Sequence, residues 1–137
     1  MTSKASFIFF AITSGLFAAF SSVFAKLFSD EKTKLLHSYI QLSFVPEETT
    51  LLVTRILFFA FTFICNSVMW TMFTKALNSA SSSVQVSIVN GAANFSASAI
   101  LGYLVFNEPL TVRWWIGACF ILSGTILLSK SQKEKKE

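Results

Sequence analysis

With 137 residues the chain is one domain at most, and 53% of those residues are hydrophobic while only 13% carry charge. An average soluble domain has roughly 25% charged residues, and a fold this small has a large surface to cover, so an ordinary soluble domain is excluded. The same hydrophobicity excludes disorder. The composition predicts an all-α membrane protein, with four transmembrane helices in a compact bundle and a short interfacial helix as an option between the first two.

The first uncharged stretch is 5–25, bracketed by Lys4 and Lys26. About 20 residues at 1.5 Å rise cross a hydrocarbon layer of about 30 Å, so this stretch is a span. Its Lys4 flank and its Val23-Phe24-Ala25 end also resemble a signal peptide. The apolar run is longer than the 7–15 residues usual for such a signal, which favours a retained span. Ser14, Ala18 and Ser22 form a small-residue stripe along it.

Positions 26–50 are the one sizeable polar segment. Leu35, Leu36, Tyr39 and Ile40 share helical spacing after Lys32 and Lys34, which suits either a helix lying in the interface or a plain loop. His37, the single histidine, reads as a solvated residue near Asp30 and Glu31.

The second span is 51–74, with Asn66 near its middle and Arg55 able to snorkel to the interface. Residues 78–83 are small and polar and read as a turn followed by a helix start. The third span is 84–106. The fourth, 112–129, is flanked by Arg113 and Lys130, and Trp114 and Trp115 suit an aromatic belt. The domain thus covers 1–129, and 130–137 is a basic tail with four lysines (Lys130, Lys133, Lys135, Lys136) beside lipid headgroups. This tail follows an apolar run, so nucleic acid is not an expected partner; the lipid bilayer is.

With four spans both termini share a side. Lys4, Lys75 and the tail lysines stand there, against Lys26, Lys32, Lys34, Arg55 and Arg113 on the other, a balance that does not set orientation. Lys133 and Lys135 match the spacing of a dilysine retrieval signal, which predicts cytosolic termini and residence in the endoplasmic reticulum or another endomembrane.

The third span carries the main polar signal. Ser87, Gly91, Asn94 and Ser98 recur at offsets of four, three and four, with Asn90 beside them. An amide is costly against lipid, so this face is expected to look inward. Two readings follow: close helix packing with amide hydrogen bonds across helices, or a cavity that binds a small polar solute. The substrate-path candidates are Asn66, Ser87, Asn90, Gly91, Asn94 and Ser98. Gly117 and Gly124 give the fourth span a close-packing face. Asn94-Phe95-Ser96 matches a glycosylation triplet but lies in mid-span.

No span carries an Asp or Glu in its core, and no nucleophile–base–orienter set, phosphate loop, dinucleotide motif or zinc motif occurs. Cys65 and Cys119 lie in apolar runs and read as packing residues. Neither catalysis nor a cofactor or metal is expected.

Several stretches together resemble a known family. They are Ser67-Val68-Met69-Trp70-Thr71-Met72-Phe73, the run 93–103 from Ala93-Asn94-Phe95 to Gly102-Tyr103, Phe106-Asn107-Glu108, Trp114-Trp115-Ile116-Gly117 and Phe120-Ile121-Leu122-Ser123-Gly124. They resemble the transmembrane protein 42 family, small four-helix proteins related to the EamA domains of the drug/metabolite transporter superfamily. The resemblance is close over 66–129 and weaker over the first span. It implies a half-size transporter unit that works as a homo-oligomer or in a hetero-complex with other membrane proteins. The family pattern Gly-Glu, Leu-Thr stands here as Asn107-Glu108-Pro109-Leu110-Thr111, with asparagine for the glycine. Pro109 suits the first turn of the last helix and Glu108 its positive N-terminal end. Small multidrug exporters of the superfamily use a glutamate in their first helix; this chain has none there, which argues against proton-coupled export.

Overall fold

The computed structural model describes residues 2–29 and 47–134. Among these residues the chain is all-helical, in the order α1 (Thr2–Ser29), α2 (Glu47–Ser79), α3 (Ser83–Phe106) and α4 (Val112–Glu134). The optional interfacial helix and His37 lie outside the described residues. So do the last three residues of the basic tail. Lys130 and Lys133 continue the α4 helix.

Three stretches are long and apolar enough to cross a membrane: Ser6–Ser29, Glu48–Ser79 and Ser83–Phe106. The corresponding stretch of α4, Val112–Gly124, is shorter. At 1.5 Å per residue it covers about 20 Å of a layer about 30 Å thick. α2 begins at Glu47, upstream of the expected 51, so the Glu48 carboxylate falls in its first turn, where the helix dipole favours negative charge. The small polar run divides as its composition predicts: α2 ends at Ser79, and Ser82, with φ −151° and ψ 125°, is the N-cap of α3.

The packing is built around α1. α1 and α2 run antiparallel, and their seam is made of hydroxyls and one amide. Ser14 is fully buried and its Oγ donates to the Met69 carbonyl at 2.9 Å. One heptad on, Ser21 Oγ donates to the Thr62 carbonyl at 3.2 Å and accepts from Asn66 Nδ2 at 2.8 Å. Lipid is as apolar as leucine, so helices in it gain little from hydrophobicity; small residues and interhelical hydrogen bonds take its place. Towards the C-terminal end of α1 the seam becomes aromatic: Phe24 stacks on Phe61 with centroids 5.3 Å apart, and Phe28 meets Phe59 at 5.5 Å.

α1 and α3 run parallel, and the contact turns on Gly15. A Cβ built on Gly15 would stand 2.5 Å from the Asn90 carbonyl oxygen, 2.7 Å from Ala93 Cβ and 2.8 Å from the Asn94 amide nitrogen. Two of these neighbours are backbone, so the helices touch main chain to main chain with no room for a methyl group. Ala11 and Ala19, one turn either side of Gly15, are fully buried on the same face. The small-residue stripe expected on α1 is therefore displaced. Ser14 serves α2, the face towards α3 is Ala11, Gly15 and Ala19, and Ser22 is exposed with its hydroxyl on its own helix at the Ala18 carbonyl. At the other end of the seam Phe7, Ala11, Ala76 and Val86 bring all three helices into one small core.

The compact four-helix arrangement holds for α1, α2 and α3 and not for α4. α4 begins against α3, where Phe95 and Trp114 stack at 4.9 Å and 10°, and beyond that its large side chains are exposed, Phe120 and Leu127 to about 70%. The outward faces of α1 and α2 are likewise rich in exposed Phe, Ile and Leu, the surface expected of helices solvated by lipid.

The Gly15 contact yields a comparative prediction. Gly15→Ala forces the α3 backbone away and is expected to destabilise the fold by about 1–3 kcal/mol, the usual cost of overpacking. Gly91→Ala, where a Cβ meets nothing within 4 Å, is expected to be neutral or slightly stabilising. Thermal melting of both variants in detergent checks this; equal melting temperatures would contradict the close approach.

Candidate functional site

Because α2 returns the chain between them, α1 and α3 end on the same side of the bundle. Lys26 lies in the last turn of α1, and Glu108 is the second residue beyond α3. The two side chains form an ion pair across 82 residues of sequence. Lys26 Nζ also sits 4.3 Å from the centre of the Phe106 ring, and Phe106 is buried at 3% exposure. Lys26 and Glu108 are 41% and 58% exposed, so water screens the pair and it contributes little to stability on its own. What it does is hold both charges at one mouth.

The turn after α3 sets that geometry. Asn107 adopts φ 54° and ψ 37°, the left-handed conformation that closes many helices, and its N–H donates to the Gly102 carbonyl. Glycine is the usual residue there and asparagine the next best, because its short polar side chain tolerates the conformation. An asparagine at this position thus keeps the turn. The Glu108 N–H reaches the same carbonyl at 3.4 Å.

Pro109 and Glu108 depart from their expected places. α4 begins only at Val112, with the Thr111 carbonyl accepting from Trp114 at 2.9 Å and from Trp115 at 3.3 Å. Pro109 therefore lies in the linker and not in the first turn of the helix. Glu108 serves Lys26 and not the α4 dipole. The linker folds back along α3 far enough for Trp114 to reach Phe95, about three turns before the end of α3.

This fold-back encloses a cleft of about 270 Å³ whose walls include Phe95, Ser98, Tyr103, Glu108 and Trp114. A second hollow of about 160 Å³ lies on the α1 side, lined by Ser22, Lys26, Ser98, Phe106 and Glu108. Ser98, Gly102 and Glu108 border both. Ser98 Oγ in turn donates to Asn94 Oδ1 at 3.2 Å, so the polar track consists of the Asn94–Ser98 bond and the Glu108–Lys26 pair, which meet where Ser98 and Glu108 border the same hollows. One flank of the cleft carries a carboxylate among aromatic rings, and the other carries an ammonium beside hydroxyls.

The substrate-path residues read from the sequence are thereby separated. Asn94 and Ser98 stand on the track. Asn90 packs its carbonyl on Gly15, and its Oδ1 is buried without a hydrogen-bond partner. Asn66 is engaged with Ser21 and the Thr62 carbonyl in the α1–α2 seam. Ser87 and Gly91 are exposed, with Ser87 Oγ bonded to the Ser83 carbonyl one turn back. The expectation that all of this face looks inward therefore fails at Ser87 and Gly91. The stripe stays within about 60° of arc on a straight helix, but the contact with α1 centres on Val86, Asn90 and Ala93, to one side of it. Gly117 and Gly124 on α4 have no neighbour within 4 Å of where a Cβ would stand.

The Lys26–Glu108 pair was not read from the sequence. The signal for it is the topology: charges of opposite sign just past the C-terminal ends of spans one and three must fall on the same side. No family model matches the chain, and no solved structure matches it.

The Asn66–Ser21 bond can be weighed by a double-mutant cycle. Ser21→Ala, Asn66→Val and the double variant are expected to reveal a coupling of about 0.6–1.7 kcal/mol, the range found for side-chain hydrogen bonds between membrane helices. Unfolding in mixed micelles measures it, and strict additivity would refute the interhelical bond.

Proposed function

We propose that this chain is a multi-pass membrane protein that acts as a half-size transport unit, moving a small polar solute past the Glu108–Lys26 cleft and working as an oligomer. The observation that carries the reading is the polar track Asn94–Ser98–Glu108–Lys26 opening into an aromatic-walled cleft, in helices that are otherwise apolar. α4 supports the oligomeric part: its apolar face meets little of its own chain and is free for a second copy. Residence in the endoplasmic reticulum with cytosolic termini belongs to the same proposal and rests on the spacing of Lys133 and Lys135. The transmembrane protein 42 resemblance is consistent with all of it.

A second reading, a non-transporting assembly subunit or scaffold, is favoured by one observation. The mid-span amide of Asn66 and the backbone at Asn90 serve helix packing, so no cavity opens at those two positions.

Flux separates the two readings. In liposomes carrying the full chain, a panel of radiolabelled amino acids, choline and phosphocholine is expected to include a solute with saturable, protein-dependent uptake. Glu108→Gln is expected to reduce that rate by tenfold or more, and Asn94→Leu to reduce it as well, while Ser87→Ala leaves it unchanged. Absence of flux for every solute, together with a stoichiometric partner recovered in mild detergent, would establish the scaffold reading instead.

The oligomer has its own test in the native cysteines. Cys119 is exposed on α4 and Cys65 is buried on α2. Mild oxidation in membranes is expected to give a covalent dimer that Cys119→Ser abolishes and Cys65→Ser does not. A chain that stays monomeric under oxidation would argue against α4 as the contact.

A further inference from the structure

The cleft contains its own guide to what would bind there. A carboxylate and an ammonium stand side by side, and each has a hollow on its outer flank. A ligand bearing only a cation would take Glu108 from Lys26 and leave the lysine uncompensated. A ligand bearing only an anion would do the reverse. A molecule carrying both charges opens the pair and satisfies both halves at once.

The two flanks also differ in the charge they suit. On the Glu108 side, Phe95, Tyr103 and Trp114 wall the larger hollow, and carboxylate plus aromatic faces is the environment that takes an organic ammonium. Lys26 over Phe106 already shows a cation held against a ring at this mouth. The smaller hollow is the one that Lys26 lines, beside the Ser22 and Ser98 hydroxyls; Glu108 borders it too, so an acidic group is suited to its Lys26 end once the carboxylate faces the ammonium in the larger hollow. Volumes of about 270 and 160 Å³ are far above the roughly 10–15 Å³ that one water needs. The ion pair stands at the C-terminal ends of the apolar stretches Ser6–Ser29 and Ser83–Phe106, with Lys26 in the last turn of the first and Glu108 two residues beyond the second, which is the depth of lipid headgroups. At that depth the abundant zwitterions pair an ammonium with a phosphate.

We propose that this cleft binds an ammonium–phosphate zwitterion of the phosphocholine or phosphoethanolamine type, with the ammonium between Glu108 and the aromatic wall and the phosphate on Lys26. The source is either a phospholipid headgroup entering from the bilayer or the free phosphoester. The inference rests on reading the cleft as the place of the solute, and it names that solute's chemistry.

Equilibrium dialysis of the full chain in maltoside micelles against radiolabelled phosphocholine tests it. Phosphocholine is expected to bind saturably and at least tenfold more tightly than tetramethylammonium or inorganic phosphate, measured by competition. Trp114→Leu is expected to weaken it about tenfold, while Trp70→Leu, on the exposed face of α2, does not. The exchange Lys26→Glu with Glu108→Lys keeps an ion pair, and with it the melting temperature, but turns an ammonium towards the aromatic wall; binding is expected to be lost. Nanodiscs distinguish the sources. Phosphocholine binding that survives in phosphatidylglycerol discs and disappears in phosphatidylcholine discs identifies a headgroup site, and equal binding in both identifies the free phosphoester. Equal affinity for either half-probe, binding unaffected by the charge exchange, or no saturable binding in micelles and phosphatidylglycerol discs would overturn the proposal. Flux is read separately. Transport of other solutes without phosphocholine binding refutes the ligand class alone, and binding without flux of any solute refutes transport alone.

Discussion

Gly15 has the backbone of α3 where its side chain would be. That approach fixes how deep α1 lies on α3, and α1 is also the helix on which α2 docks through Ser14 and Ser21. The two contacts use different sides of one helix, one main chain against main chain and one hydroxyl to carbonyl. α2 and α3 touch each other chiefly at the small core where Phe7, Ala76 and Val86 meet. If α1 were spaced farther from α3 by a methyl group, Lys26 would lose its register with Glu108 and Phe106 several turns away. The mouth of the cleft is therefore a consequence of packing at mid-helix.

Which parts of this were legible in the sequence follows from how local each signal is. The apolar stretches and the polar break at 78–83 are local, and α1, α2 and α3 stand where the stretches predict them. α4 is a helix as expected, but it runs Val112–Glu134 with an apolar stretch that ends at Gly124, and the exposure of its large side chains is not legible in the sequence, because an apolar residue looks the same whether it meets lipid or protein. The amide and hydroxyl pattern of α3 takes in Asn94 and Ser98, which bond to each other, and also Ser87 and Gly91, which share the spacing but are exposed. Asn66 is expected on a substrate path and is instead engaged with Ser21 and the Thr62 carbonyl; that pairing depends on the antiparallel register, which nothing local encodes. The pairing of Lys26 with Glu108 is of the same kind.

Asn107 and Pro109 show the reverse case, in which local chemistry is strong but its placement is displaced. Asparagine after an apolar helix is a recognisable left-handed cap, and it is one. Proline next to a helix start is a recognisable first-turn residue, yet here it precedes the helix by three positions, with Thr111 taking the capping role. The extra linker length has a structural result. It lets the chain fold back along α3 until Trp114 stacks on Phe95, and this fold-back makes the outer wall of the larger hollow.

The absence of charge from the spans and the presence of an ion pair at their ends are one fact seen twice. An ionised group in mid-membrane carries a penalty that few interactions offset, so a chain with so few charges places them where headgroups and water reach. The polar groups that remain deeper, such as Ser14, Ser21 and Asn66, are spent on joining helices. Only at the end of α3 do polar groups exceed what packing uses: Asn94 and Ser98 bond to each other and lead to Glu108, and two hollows adjoin them. The cost of charge thus places this ion pair at the mouth of the bundle. The ligand proposed for that mouth leaves neither Lys26 nor Glu108 unmatched.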